Sequence, residues 1–272
     1  MRDQARFYGR DGLNVETYDA RAERNVAAST VAGDLGFYLA LARETGGPVL
    51  ELGAGTGRVA WPLAVDGHEV VALELSPAML RAAEAKRAGH SEQACRRIRF
   101  VAGDMAGFDL GPERFALAVA AFRAWQCLLS PEAQRNSLDC VRRHLRPGGR
   151  LVVDLFDPRI EWCVAGVAGP PMTSRETVTH PVTGNDVRTA VLCRENDPFR
   201  QVLREVWRFT EVDGRESVLR EEDELLELRW TYRHEMRYLL ELAGFEVLAE
   251  TSDFRGSPPR YGGEQVWLAR RA

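Results

Sequence analysis

The stretch VLELGAGTGR, residues 49–58, runs from four residues of strand-forming and apolar character straight into a turn that carries Gly53, Gly55 and Gly57. Glycine weakens a strand end unless the backbone must turn tightly or something must approach it closely. A strand, a glycine turn and a helix start in sequence make a site for a nucleotide or an anion, because free N–H groups at the helix start face the ligand. The dinucleotide fingerprint G-x-G-x-x-G would place its last glycine at position 58, which is Arg58. The spacing here is G-x-G-x-G, with the acid Glu51 two residues ahead of it. A nicotinamide dehydrogenase is disfavoured on that spacing.

Outward from this loop the first half of the chain alternates strand and helix. Strands are expected at 48–53, 68–75, 97–104, 114–122 and 150–157, with helices at 58–67, 76–89 and 130–149. Ser76-Pro77 and Ser130-Pro131 each pair an N-cap with proline at the first helical position. Leu138, Val141 and Leu145 share one helical face, and Pro147-Gly148-Gly149 is expected to stop that helix. Strands joined by helical crossovers imply an α/β, doubly wound, mostly parallel sheet.

From 158 the pattern changes. A Gly/Pro-rich loop at 164–174 precedes strand-like runs at 175–180, 186–195, 200–212 and 215–232. Asp213-Gly214 carries the signature of a tight hairpin turn. The reading is a core of 1–157 with 231–272, and an antiparallel β cap inserted at 158–230. The acidic run REEDE, 220–224, reads as a solvated strand edge. Thr231 is the expected N-cap of a helix over 231–245, followed by closing strands at 245–254 and 263–271.

The bulk properties narrow the partners. The 272 residues are 45% hydrophobic with a net charge of −4, ample for a core and without a basic footprint for nucleic acid. No apolar run reaches the roughly 18 residues that a membrane span needs. The five cysteines form no C-x-x-C pair, and the N-terminus is polar, so the expected setting is the reducing cytoplasm, with neither a disulfide framework nor a zinc site.

Three more features join the glycine loop. Glu74 ends the next strand about 20 residues on, where a carboxylate binds ribose hydroxyls. GDM places Asp104 and Met105 at the same sheet edge, and AGFEV leads from the last helix into the closing strands. Together these residues resemble the class I S-adenosylmethionine (SAM)-dependent methyltransferases, over roughly 30–157 and 231–272. The resemblance implies a Rossmann-like core of seven strands, SAM as cofactor and S-adenosylhomocysteine (SAH) as product. It implies that Gly53, Ala54, Gly55 and Gly57 let backbone approach the methionine portion, and that Glu51 holds or orients the amino group. Glu74 would accept both ribose hydroxyls and Asp104 the adenine amine, with Met105, Leu75 and Met79 beside the rings. Met79 and Met105 fit plain core equally well. Ala120, Ala121 and Phe122 would lie along the methionine chain. Tyr18, in an N-terminal segment similar to the family's lid helix, is a candidate for the cofactor carboxylate or a packing tyrosine; Arg24 and Arg58 are weaker candidates.

The acceptor side is less defined. Arg123, Trp125, Phe156 and Trp230 are candidates to line its pocket, and the charge of Arg123 would suit an acidic substrate. Tyr232 and His234 are candidate catalytic groups, His234 as a general base or as an ordinary helix-surface histidine. Asp154 and Asp157 sit at a strand end, where aspartates commonly cap loops, and no metal is assigned to them. A cap of this size suits a small, enclosed acceptor methylated at N, O or, less often, C. A protein or RNA methyltransferase and a non-catalytic SAM-binding module remain the alternatives. The cap is expected to act as a lid or as a homodimer surface.

Overall fold

The computed structural model describes residues 5–27, 31–112, 114–160, 163 and 172–272; most of the expected loop at 164–174 lies outside them. In chain order the elements begin with β1 (Ala5–Arg6), α1 (Leu13–Glu16), α2 (Tyr18–Ala27), α3 (Asp34–Thr45), β2 (Val49–Leu52), α4 (Ala60–Val65), β3 (Val70–Glu74), α5 (Pro77–Ala85), α6 (Glu92–Arg97), β4 (Ile98–Ala102) and β5 (Phe115–Ala120). They continue with α7 (Pro131–His144), β6 (Leu145–Phe156), β7 (Met172–Thr179), β8 (Asp186–Asp197), β9 (Val202–Val212), β10 (Val218–Arg229), α8 (Arg233–Leu242), β11 (Phe245–Thr251) and β12 (Glu264–Arg271).

Seven strands form the main sheet in the order β11-β12-β6-β5-β2-β3-β4. The five strands from β6 to β4 are parallel, and β12 and β11 close the sheet antiparallel. Every residue of β2 and β5 is buried, as a parallel strand covered on both faces requires. One face carries Leu50, Leu73, Leu138, Val153 and Trp267, the other Tyr38, Trp61, Leu63, Ala72 and Val152. Strand order reverses between β2 and β5, and a crevice opens there at the carboxyl ends of the strands.

The expected caps form. Ser76 Oγ accepts the Met79 N–H at 3.2 Å, and Ser130 Oγ accepts the Ala133 N–H at 3.1 Å. α7 stops at His144, ahead of the expected Pro-Gly-Gly stop, because the residues before Pro147 are already extended and belong to β6. The N-cap of α8 is Tyr232 and not Thr231; the Thr231 hydroxyl is buried and accepts from Gln134 and Arg229.

The second sheet has five strands in the order β1-β10-β9-β8-β7. Its inclusion of β1 was not expected, and it ties the N-terminus to the insertion. The acidic run is also corrected: Glu222 and Glu224 point inward. Glu222 Oε2 accepts the Leu13 N–H at 2.9 Å, and Glu224 Oε2 accepts from Tyr8 N–H at 3.0 Å and Asn14 Nδ2 at 2.6 Å. They clamp the N-terminal segment to the cap. The Asp-Gly turn is a wider loop over 213–217, with Asp213 Oδ1 accepting from the Arg215 and Ser217 N–H groups and Glu216 in the left-handed region.

Candidate active site

A cavity of about 1220 Å³ lies between the strand ends of the main sheet and the inner face of the inserted one. Small-molecule pockets commonly measure roughly 300–1,000 Å³, so this one has room for a cofactor and a second molecule. Its wall includes Gly53, Gly55, Glu74, Leu75, Met79, Asp104 and Met105 on one side, and Leu203, Glu205, Trp207, Leu226 and Leu228 on the other.

The glycine loop is anchored to β3: Gly53 and Ala54 donate to the Leu73 carbonyl at 2.8 and 3.0 Å. Gly53, Gly55 and Gly57 have φ of 69, 58 and 77°, conformations that glycine adopts without steric cost. Their roles diverge. A Cβ at Gly55 would meet nothing nearer than the Tyr18 hydroxyl, at 3.9 Å, so this residue presents bare backbone towards Tyr18. A Cβ at Gly57 would lie 2.7 Å from Trp61, and one at Gly53 2.8 Å from Ala124. Gly57 is therefore a packing glycine and does not line the cavity.

Glu74 Oε2 accepts the Gly55 N–H at 2.8 Å and Oε1 the Ser76 N–H at 2.7 Å. Burial raises its carboxyl above the usual range. Asp104 Oδ1 accepts the Ala106 N–H at 2.8 Å and so shapes the turn after β4. Glu51 lies behind the loop, not on the cavity wall. It is buried with Oε2 unpartnered, and burial pushes its carboxyl up to about 8. Arg58 also stands behind the wall, paired with Asp34 and with its guanidinium 4.8 Å from the Phe122 ring centroid. Tyr18 lines the cavity, and burial pushes its phenol up to about 12. Arg24 donates to the Thr177 carbonyl in the cap and does not line the cavity.

After β5 the chain makes a turn in which Phe122 and Arg123 are both left-handed, with φ of 54 and 64°. Two such non-glycine residues cost on the order of 1–3 kcal/mol each. The turn is held from β6: Asp154 Oδ1 accepts the Phe122 N–H and Oδ2 the Arg123 N–H, both at 2.9 Å. Ala121, Phe122, Arg123 and Phe156 all line the cavity. Arg123 pairs with the buried Glu264, which offsets its charge.

The structure places the remaining acceptor-side candidates off the cavity wall. Trp125 is fully buried in the core. Trp230 is buried with its indole N–H on Asn196 Oδ1 at 2.8 Å. Tyr232 and His234 are exposed at the start of α8 and do not line the cavity. The cap supplies what the sequence reading missed. Glu205 accepts from Arg194 Nε at 2.6 Å and from Trp207 Nε1 at 2.7 Å, and both Glu205 and Trp207 line the cavity. The alternation of Leu203, Glu205 and Trp207 along one strand face was the available signal.

The site fits SAM on its own features: a glycine backbone facing the cavity, the acid Glu74 on its wall, and the buried Glu51 carboxyl, with Oε2 unpartnered, beneath the loop. The fold and this loop are similar to those of class I SAM-dependent methyltransferases. A methyltransferase-domain family model matches residues 49–149. The chain is 32% identical over 117 residues to the demethylmenaquinone methyltransferase of Clavibacter sepedonicus, a match covering 43% of this chain and 44% of that protein, less than half its length. The CcbJ methyltransferase from Streptomyces caelestis is similar over 98% of both chains, with 27% identity and a TM-score of 0.74. SAM-bound CalS10, an amino pentose methyltransferase from Micromonospora echinaspora involved in calicheamicin biosynthesis, shares 26% identity over 97% of this chain and 100% of its own, with a TM-score of 0.68. Among the described residues no helix is long and apolar enough to cross a membrane.

Proposed function

We propose that this chain transfers a methyl group from SAM to an amine nitrogen of a small molecule. The observation that carries this reading is the chemistry of the cavity wall. Among the described residues it contains no histidine, and the carboxylates on its acceptor side are already engaged. Glu264 faces Arg123, Glu176 lies 3.9 Å from the Arg21 guanidinium, Glu205 is held by Arg194 and Trp207, and Asp157 accepts from the Gly262 N–H at 2.8 Å and Gln265 Nε2 at 3.0 Å. The Tyr8 and Tyr18 phenols are held neutral by burial. A hydroxyl acceptor needs a base to remove its proton, whereas a neutral amine attacks with its own lone pair and sheds the proton afterwards. The amino pentose named for CalS10 is in keeping with this choice.

SAM supplies the electrophilic methyl group when bound. The chain's own part is to bind and orient: Gly53 and Gly55 present backbone, Glu74 accepts the ribose hydroxyls, and Asp104 and Met105 face the adenine. The Glu51 carboxyl behind the loop ionises as the ammonium group arrives and then offsets its charge. Phe156 and the cap residues Leu203, Glu205 and Trp207 hold the acceptor and exclude water. Proximity of this kind contributes roughly 7–11 kcal/mol in favourable cases. In this reading 158–230 is the acceptor cap on a core of 1–157 and 231–272, and the protein works in the cytoplasm, with the outer face of the cap available for a homodimer. The cap residues standing over the cavity favour a small acceptor over a protein or RNA.

The test is transfer of labelled methyl from SAM to matched acceptors, an amino sugar and its hydroxy counterpart. Label on nitrogen alone is the expected result. Label on oxygen alone would overturn the acceptor assignment, and no transfer to any acceptor would favour a non-catalytic SAM-binding module.

A further inference from the structure

We propose that Asp154 is a positioning residue for the cofactor site, acting through the left-handed turn at Phe122–Arg123 and not on any ligand. The inference rests on the SAM reading of the glycine loop but not on the choice of acceptor.

Asp154 is fully buried on β6, beside the end of β5. Its carboxylate meets three donors: the backbone N–H groups of Phe122 and Arg123, and the Tyr38 hydroxyl from α3 at 2.7 Å. The two backbone bonds fall on the two consecutive non-glycine residues with positive φ. Left alone, such residues revert to right-handed or extended backbone. The carboxylate is what makes this turn the stable arrangement, since a buried N–H without an acceptor is disfavoured.

The turn matters because of what it touches. Ala124, directly after it, sits where a side chain at Gly53 would stand, so the glycine loop and the turn pack against each other. Phe122 carries the Arg58 guanidinium on its ring, and Arg58 is fastened to Asp34 on α3. Arg123 reaches across to Glu264 on β12. One buried carboxylate thus places the wall that runs from the glycine loop to the acceptor side. Tyr38 from α3, Glu264 from β12 and Arg123 of the turn are the titratable groups that face it.

The experiment uses the full chain and SAH. Amide hydrogen exchange in Asp154→Asn is expected to accelerate at Phe122 and Arg123 by about tenfold or more, with the amides of β2 and β3 unchanged. SAH affinity in the same variant is expected to fall by about tenfold. Arg123→Gly removes the strain of one of the two left-handed residues that Asp154 holds, so adding Asp154→Asn to it should cost less than the same change does in the wild-type chain. Should Asp154→Asn not fold, the double variant is expected to be the more stable of the two. Unchanged exchange at those two amides, wild-type SAH affinity in Asp154→Asn, or an equal loss in both backgrounds would each overturn the proposal. The exchange readout needs no ligand. If the wild-type chain binds no SAH, the SAM reading fails while the role of Asp154 in holding the turn is still tested.

Discussion

Glu74 Oε2 accepts the backbone N–H of Gly55 at 2.8 Å, so the end of β3 holds the middle of the loop that follows β2. One carboxylate sets the loop's shape and lines the cavity, and its proposed role is to accept the ribose hydroxyls. Glu74→Ala is expected to weaken SAH binding at least about tenfold, roughly 1.4 kcal/mol. Glu74→Gln keeps an acceptor for the Gly55 N–H and is expected to lose less. Calorimetric titration decides, and wild-type affinity in Glu74→Ala would remove this residue from the cofactor site.

Gly55 and Gly57 should separate binding from stability. Alanine at 57 would press on Trp61 and Phe100, at 2.7 and 3.1 Å from the new Cβ. Gly57→Ala is expected to destabilise the fold by roughly 1–3 kcal/mol, seen as a lower melting temperature. Gly55→Ala meets only open space on its way to Tyr18, so its stability cost should be confined to about 1 kcal/mol of backbone strain. Its SAH affinity should instead drop about tenfold. The reverse pattern would exchange the two assignments.

Glu51 makes a pH prediction. Burial raises its carboxyl from 4.5 to about 8. Between those values the folded chain holds a proton that the unfolded chain has released, so stability falls as pH rises through that window. Asp154, raised from 3.8 to about 6, acts with the same sign lower down. A cationic amino group arriving near Glu51 favours the ionised form, so SAH binding near pH 7 should release protons. Titrations in buffers of different ionisation enthalpy would show this, and Glu51→Gln should abolish it while stabilising the unliganded chain at high pH. Buffer-independent heats in the wild type would sink the idea.

Trp207 tests the acceptor wall. Its indole N–H is held by Glu205 at 2.7 Å, which fixes the ring against the cavity. Trp207→Ala is expected to raise the acceptor KM about tenfold, the scale of losing one well-packed aromatic contact. The SAH dissociation constant should stay within about twofold, because no contact to the glycine loop is removed. Equal losses on both ligands would mean that the cap serves the fold as a whole.

The cofactor half was legible because its signals are local. The strand into Gly53, the Ser76-Pro77 and Ser130-Pro131 caps, and an acid ending the next strand are each decided within a few residues by backbone conformation and helix-end hydrogen bonding. Those features by themselves specified a doubly wound sheet with a nucleotide-type loop. The acceptor half was not legible, because its pairings join distant residues. Arg123 meets Glu264 across 141 positions, and Asn14 meets Glu224 across 210.

Strand register alone decided that Glu205 and Trp207 face the cavity while their neighbours Arg204 and Arg208 face outward to Glu227 and Asp223. Packing decided that Trp125 and Trp230 are core and that His234 stands in solvent. A carboxylate, a tryptophan or a histidine has the same letter in all these settings. Its burial and its partners exist only once the sheets have paired, and they determine whether it structures a turn, walls a pocket or does neither.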